Sequence, residues 1–243
     1  MKGDRQMISL KDKVIAITGA SGGMGKEICN ILAGEGAKFL LCSNEEAALK
    51  ELDDSLKAKG VQVVSMTVDI TDEEQVKNFF DLGIKTFGGV DILLNLAGLS
   101  VPAKVAEMDV DKYDLIMDVN LKGTFLCSKH FIPCVDSEKG GQIINIGSMA
   151  AKRANASAPL YCTAKASVNM FSQGLALQVK ENNIRVTTLN PGPTNTTFWG
   201  DRPVPREKFM QASDVAELMV FILTRDARVV FHEVWFESFA FFQ

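Results

Sequence analysis

Histidine is nearly absent from this chain. His130 and His232 are the only two, and neither has a partner at metal-ligand spacing, so no metal centre is expected. Cysteine is sparse and scattered. Cys29, Cys42, Cys127, Cys134 and Cys162 form no CxxC pair, and their odd number argues against a full disulfide framework. They read as reduced thiols, mostly small core residues. There is no excess of positive charge: 26 Lys and Arg face 30 Asp and Glu, giving a net charge of −4 and a pI near 5.3. No basic field is available to hold nucleic acid or an anionic membrane, although a few local donors can still bind phosphate. No apolar run approaches the ~18 residues needed to span a bilayer. The opening MKGDRQMISLKDK lacks the apolar stretch of a secretory signal. A cytoplasmic location is expected. Pro/Gly/Ser linkers, repeats and low-complexity tracts are also missing, so residues 1–243 read as one domain, with 1–12 as an N-terminal extension.

What is present is an alternation of two periods. Short apolar runs occur at Val14–Thr18, Phe39–Cys42, Val61–Val68, Ile92–Asn95, Gln142–Ile146, Ile184–Leu189 and Val229–Phe236. Segments with helical spacing lie between them. Val76, Phe79, Phe80 and Phe87 fall on one face, as do Ala164, Val168, Phe171 and Leu175. Strands apolar on nearly every residue suit a sheet covered on both sides. The pattern predicts an α/β fold: a Rossmann-type doubly wound sheet of seven mainly parallel strands with helices on both faces. Ligands of such sheets bind beyond the carboxyl ends of the strands.

The residues after the first strand are Thr18-Gly19-Ala20-Ser21-Gly22-Gly23-Met24-Gly25, and a helix opens from them. Glycines admit positive φ and let a diphosphate approach the backbone, and the helix start offers free N–H groups with partial positive charge. Tyr161 and Lys165, four apart, share one helix face. Ser148 stands thirteen residues before Tyr161, directly after a strand, and Asn120 lies in a predicted helix. Any one of these patterns arises easily by chance. Together, in this order, they do not.

The TGxxxGxG spacing and the set Asn120, Ser148, Tyr161 and Lys165 resemble the short-chain dehydrogenase/reductase family, over about Lys13 to Ala227. The resemblance implies an NAD(P)(H)-dependent oxidoreductase that interconverts a carbonyl and a secondary alcohol, with Tyr161 as acid/base. It implies that Gly19, Ser21, Gly23, Met24 and Gly25 line the cofactor diphosphate and ribose, and that Asp69 and Ile70 contact adenine. Asp69 also reads as a helix-start signal before Thr71-Asp72-Glu73-Glu74. Asn95, Ala97 and Gly98 match the motif after the fourth strand, where Leu96 departs from the usual second asparagine. Pro191, Gly192, Thr194 and Thr196 would fix the nicotinamide, and Lys165 the ribose beside it. Asn120 would kink its helix and hold a water that links Lys165 to solvent.

At the end of the second strand, Ser43 and Asn44 are neutral. An acid there would repel a 2′-phosphate, and these do not, which favours NADP(H), with NAD(H) as the alternative. A free phenol has a pKa near 10, and lowering it to about 7 requires roughly 4 kcal/mol. Lys165 is expected to supply a large share.

The resemblance suggests a 3-oxoacyl thioester as one substrate class. A small hydroxy acid or alcohol is the alternative, and a non-catalytic nucleotide sensor is the reading outside enzymology. The segment Thr197–Ala212 is a short lid, which favours a small substrate. Its Trp199 either walls the pocket or anchors the loop. Glu45-Glu46 and Asp53-Asp54 read as a solvated helix face. Four phenylalanines between Phe236 and Phe242, together with the long helices after Asp109 and Tyr161, predict subunit interfaces and a homotetramer.

Overall fold

A computed structural model describes residues 7–242. Seven strands form one parallel sheet: β1 (Val14–Thr18), β2 (Lys38–Ser43), β3 (Val63–Thr67), β4 (Ile92–Asn95), β5 (Gly141–Ile146), β6 (Ile184–Pro191) and, at the far edge, β9 (Glu233–Phe236). Their order is β3-β2-β1-β4-β5-β6-β9, so the winding reverses between β1 and β4. The intervening β7 (Thr194–Asn195) and β8 (Met210–Gln211) pair with each other outside the main sheet. The principal helices are α1 (Gly23–Gly34), α2 (Glu46–Ala58), α3 (Glu73–Phe87), α4 (Val110–Met117), α5 (Gly123–Phe131), α6 (Pro159–Gln178) and α7 (Ala212–Leu223).

Each strand sends alternate side chains to opposite faces, and β1 divides two cores accordingly. Ile15 and Ile17 join Ile28, Cys29 and Leu32 of α1 and Val215, Met219 and Ile222 of α7. Val14 and Ala16 join Val76, Phe79 and Phe80 of α3, Phe131 of α5 and Leu175 of α6. This is the doubly wound α/β arrangement the sequence predicts. The predicted apolar faces of α3 and α6 are the buried ones, with Phe87 and Phe171 only partly covered.

Four expectations change. The last strand was predicted from Val229, but it begins at Glu233. Arg185 Nη1 donates to the carbonyls of Arg225, Asp226 and Val229, which turns that backbone away from a ladder. The third strand loses Val61 and Gln62 because Val61 N donates back to Leu56 O, closing α2. Asp53 is not solvated: it is buried, with Oδ2 2.5 Å from Lys57 Nζ. Leu10, within the predicted extension, is buried in the α1 core, and Ile8 N donates to Thr224 O. Residues 1–6 of that extension lie outside the described residues. No helix among the described residues is long and apolar enough to cross a membrane.

Candidate active site

The glycine loop leaves β1 at Gly19, whose φ is +62°. A Cβ there would lie 2.9 Å from Ala97 Cα, so the turn accepts only glycine without strain. A Cβ on Gly25 would stand 2.5 Å from Ala20 O, and Gly23 faces Thr196. Gly22 caps α1 with no side-chain hydrogen bond, and the first turn has no acidic residue. The positive end of α1, including Met24, therefore presents backbone N–H groups that no side chain among the described residues claims. These features fit a dinucleotide diphosphate.

Ser21 Oγ lies 2.6 Å from Ser43 Oγ, and Glu45 N donates to Ser43 at 3.1 Å. The serine is buried and Asn44 is exposed. Asp69 Oδ1 accepts from Thr71 N and Oγ1, while the helix-capping role belongs to Asp72, which accepts from Glu74 N and Gln75 N. Ile70 is buried against Gly123. Leu96, the departure from the family pattern, joins the core, and its N–H and that of Ala97 point at Thr18 Oγ1. Asn95 is buried, and its Nδ2 donates to Asn145 Oδ1 at 2.8 Å.

Four elements bring the remaining candidates together. Asn120 sits in a π-helical turn, Asp118–Lys122, that separates α4 from α5. The regular α-helical ladder is interrupted where the kink was expected. Asn120 Nδ2 donates to Ile116 O and Leu99 O, both at 2.8 Å. Its Oδ1 is buried without a partner among the described residues. Both that oxygen and Lys165 Nζ border Gly98, about 3 Å from where a Cβ would be: 2.9 and 3.1 Å. An orphaned buried acceptor beside an amine is what a hydrogen-bonded group, cofactor or solvent, would satisfy.

Ser148 begins the turn after β5. Its N–H donates to Asn190 Oδ1 at 3.0 Å, and its Oγ accepts from Ala150 N at 3.1 Å. Asn190 escaped the sequence reading, because an asparagine before Pro-Gly reads as turn chemistry. Tyr161 and Lys165 lie one turn apart on α6, with Nζ 5.9 Å from the Tyr161 ring centroid. Nζ donates to Ile146 O at 2.9 Å. The ring of Phe198 is 5.8 Å from that of Tyr161.

Burial works against the expected electrostatics. Burial pushes the Tyr161 phenol up to about 12, against a downward pull from the Ser148 hydroxyl and the Arg202 guanidinium. Burial also brings Lys165 down to about 7. The ammonium expected to acidify the phenol is itself desolvated, which opposes that role.

Behind this site, β6 continues through Pro191, and Gly192 N donates to Phe236 O. Thr194 O accepts from Trp199 Nε1 at 2.8 Å, so the indole occupies a backbone group expected to serve the nicotinamide. Thr196 Oγ1 caps the turn Thr197–Trp199. His130 lies against Glu73 at 3.1 Å, and the main-chain oxygen of His232 accepts from Thr188.

The family profile of the short chain dehydrogenases matches residues 13–205. The chain belongs to the short-chain dehydrogenase/reductase family. An uncharacterized oxidoreductase of Staphylococcus saprophyticus is 33% identical over 94% of this chain and 98% of its own length, and one of Staphylococcus aureus strain USA300 is 32% identical over the same shares. Among solved structures, an alcohol dehydrogenase of the archaeon Thermococcus sibiricus, complexed with 5-hydroxy-NADP, superposes with a TM-score of 0.88 at 26% identity, over 95% of this chain and 98% of that one. A short-chain type dehydrogenase/reductase of Mycobacterium marinum shares the fold, with a TM-score of 0.88 at 23% identity over 96% of this chain and 97% of that one. This short-chain dehydrogenase/reductase is therefore an oxidoreductase of a family that generally depends on NAD(P).

Proposed function

We propose that this enzyme reduces a small ketone to a secondary alcohol with NADPH, Tyr161 giving the proton. The observation that carries the reading is that Ser148 and Lys165 both lie beside Tyr161, while Lys165 Nζ borders Gly98, next to the Ala97 against which the glycine loop packs. The bound cofactor supplies the hydride. Ser148 holds the carbonyl oxygen near the phenol, and Asn190, through the Ser148 N–H, holds Ser148. A phenol is protonated at neutral pH, which is the form a proton donor needs. Lys165 would return a proton to Tyr161 and bind ribose hydroxyls; its Nζ and Asn120 Oδ1 both border Gly98.

Gly19, Ser21, Gly23, Met24 and Gly25 would hold the diphosphate side, and Asp69, Ile70, Ala97 and Gly98 the adenosine and ribose side. Pro191, Gly192, Thr194 and Thr196 would flank the nicotinamide. Asn95 acts through the sheet and not by contact. Ser43 and Asn44 carry no acid to repel a 2′-phosphate, and the Thermococcus relative is complexed with an NADP derivative. Both favour NADP(H) over NAD(H). The lid packs Phe198 against Tyr161, which favours a small substrate over a 3-oxoacyl thioester. Relatives named oxidoreductases favour turnover over a sensor role.

Nicotinamide absorbance with a panel of ketones and alcohols tests the reading. Tyr161→Phe is expected to lower kcat/KM by about 10²–10⁴-fold while NADPH still binds. Equal turnover in the variant overturns the assignment. Tighter binding of NADH than NADPH overturns the cofactor preference.

Exposed Val110, Leu115, Phe125, Met170 and Leu177 on α4, α5 and α6, and exposed Phe239 and Phe242, support a homotetramer. Sedimentation as a monomer at micromolar concentration would overturn that. A cytoplasmic location accords with five thiols outside disulfides.

A further inference from the structure

The lid holds two arginines with different surroundings. Arg206 binds the lid to itself: Nη1 donates to Asn195 Oδ1 and Thr196 O at 3.0 and 3.1 Å, and Nη2 to Gly200 O at 2.8 Å. Arg202 keeps part of its fork unused. Its Nε donates to Trp199 O at 2.8 Å and its Nη2 to Phe198 O. Its Nη1 has no hydrogen bond among the described residues. No carboxylate there forms an ion pair with it, in contrast to Arg153 with Glu237 and Arg228 with Asp226.

The guanidinium carbon lies 5.1 Å from the ring centroids of both Phe198 and Trp199. Phe198 in turn touches Tyr161. The cation is thus one aromatic ring from the reacting phenol, close enough to pull its pKa down. Aromatic faces shield it from water on part of its surface, which strengthens its attraction for an anion. Its planar donors match a carboxylate. A neutral ketone would leave this charge without a counterpart.

We propose that the substrate is a short oxo acid, and the product the corresponding hydroxy acid, with the carboxylate paired to Arg202 while the carbonyl oxygen meets Ser148 and Tyr161. The inference rests on the carbonyl-reductase reading and adds the charge of the substrate. In the reaction a hydride from NADPH adds to the carbonyl carbon, the C=O π pair takes the Tyr161 proton, and the carboxylate is unchanged. Arg202 is therefore a specificity residue and not a catalytic one. Acyl thioesters lack the carboxylate and are poorer partners for it.

The test compares pyruvate and acetoacetate, which carry the carboxylate directly on the carbonyl carbon or one carbon removed, with butanone and pentan-2-one. Wild-type enzyme with NADPH is expected to favour an acid over its neutral counterpart in kcat/KM. Arg202→Gln should lower that preference by about tenfold or more, chiefly through KM, and Arg202→Lys should restore part of it. Independently of turnover, acetoacetate or pyruvate should raise the melting temperature of the wild-type NADP⁺ complex and not that of Arg202→Gln. If Arg202→Gln does not fold, the Lys variant still reads the ratio, which should fall because the planar fork is lost. Equal efficiency on acids and neutral ketones in the wild type overturns this inference alone. So does a preference that Arg202 variants leave untouched. Failure to reduce any carbonyl overturns it together with the carbonyl-reductase reading.

Discussion

The two segments proposed to wall the site, the glycine loop and the lid, are built from different materials. The glycine wall, from Gly19 to Gly25, is backbone. Its shape is imposed by a positive φ at Gly19 and by the 2.5 Å approach that a Cβ at Gly25 would make to Ala20 O. The lid wall, from Thr197 to Ala212, is made of side chains. Phe198, Trp199 and Phe209 stack on one another, with centroids 5.5 and 5.0 Å apart, and two arginines bind the turn carbonyls. A backbone wall suits the part of a ligand that is the same in every turnover. A side-chain wall can change its chemistry residue by residue without disturbing the sheet, so it is where substrate choice is set.

The sharpest way to break this contrast is Gly25→Val. The added side chain has only backbone to displace, so the fold should lose about 1–3 kcal/mol and dinucleotide affinity should fall with it. Denaturant unfolding and NADPH fluorescence titration measure both. A variant of normal stability and affinity would show that the wall is not held by close approach.

Lys165→Met probes the floor between the walls. The unfolded lysine keeps its proton to about 10.5, while the folded one releases it near 7. Between those values the unfolded state binds more protons, so this group makes stability rise with pH, by up to about 1.4 kcal/mol per pH unit. The variant should lose that rise. Tyr161 contributes the opposite slope, a loss beginning near 10 and ending near 12. An unchanged slope in unfolding curves between pH 7 and 9 would mean that Lys165 is not desolvated.

Trp199→Ala removes the indole bond to Thr194 O and the packing on Phe209. It should cost about 1–2 kcal/mol and alter substrate KM more than dinucleotide Kd. Equal effects on the two constants would erase the distinction between the walls. As the smallest change, Asp72→Ala removes the cap of α3, away from both walls. About 1 kcal/mol of stability should be lost, with kcat at saturating NADPH and substrate unchanged in steady-state assays.

Much of the fold was legible because it follows from local pattern. Strand runs such as Val14–Thr18 and Ile92–Asn95 match the observed limits. The apolar stripes of α3 and α6 are the faces that pack. The departures share a cause. Val229–Phe231 has strand-like residues, yet Arg185, distant in sequence, captures the nearby carbonyls. Asp53 reads as a solvated acid until Lys57 and the packing of α2 enclose it. Trp199, for which two roles were open, is at least the loop's anchor through Thr194. Phe198 and Arg202 had no signal in TFWGDRPVP, since an arginine in a polar loop looks the same whether it meets solvent or aromatic rings.

By itself the sequence determined the alternating α/β order, the tight turn at Gly19, and the separation of one helical turn between Tyr161 and Lys165. Each is set by sterics or periodicity within a few residues. Only the tertiary structure decided which groups are dry and which charges meet. It raised the phenol and lowered the amine, turned Asn95 inward, and set Arg202 beside Phe198. Desolvation and electrostatic contact depend on what other parts of the chain place around a group, and that information is not local.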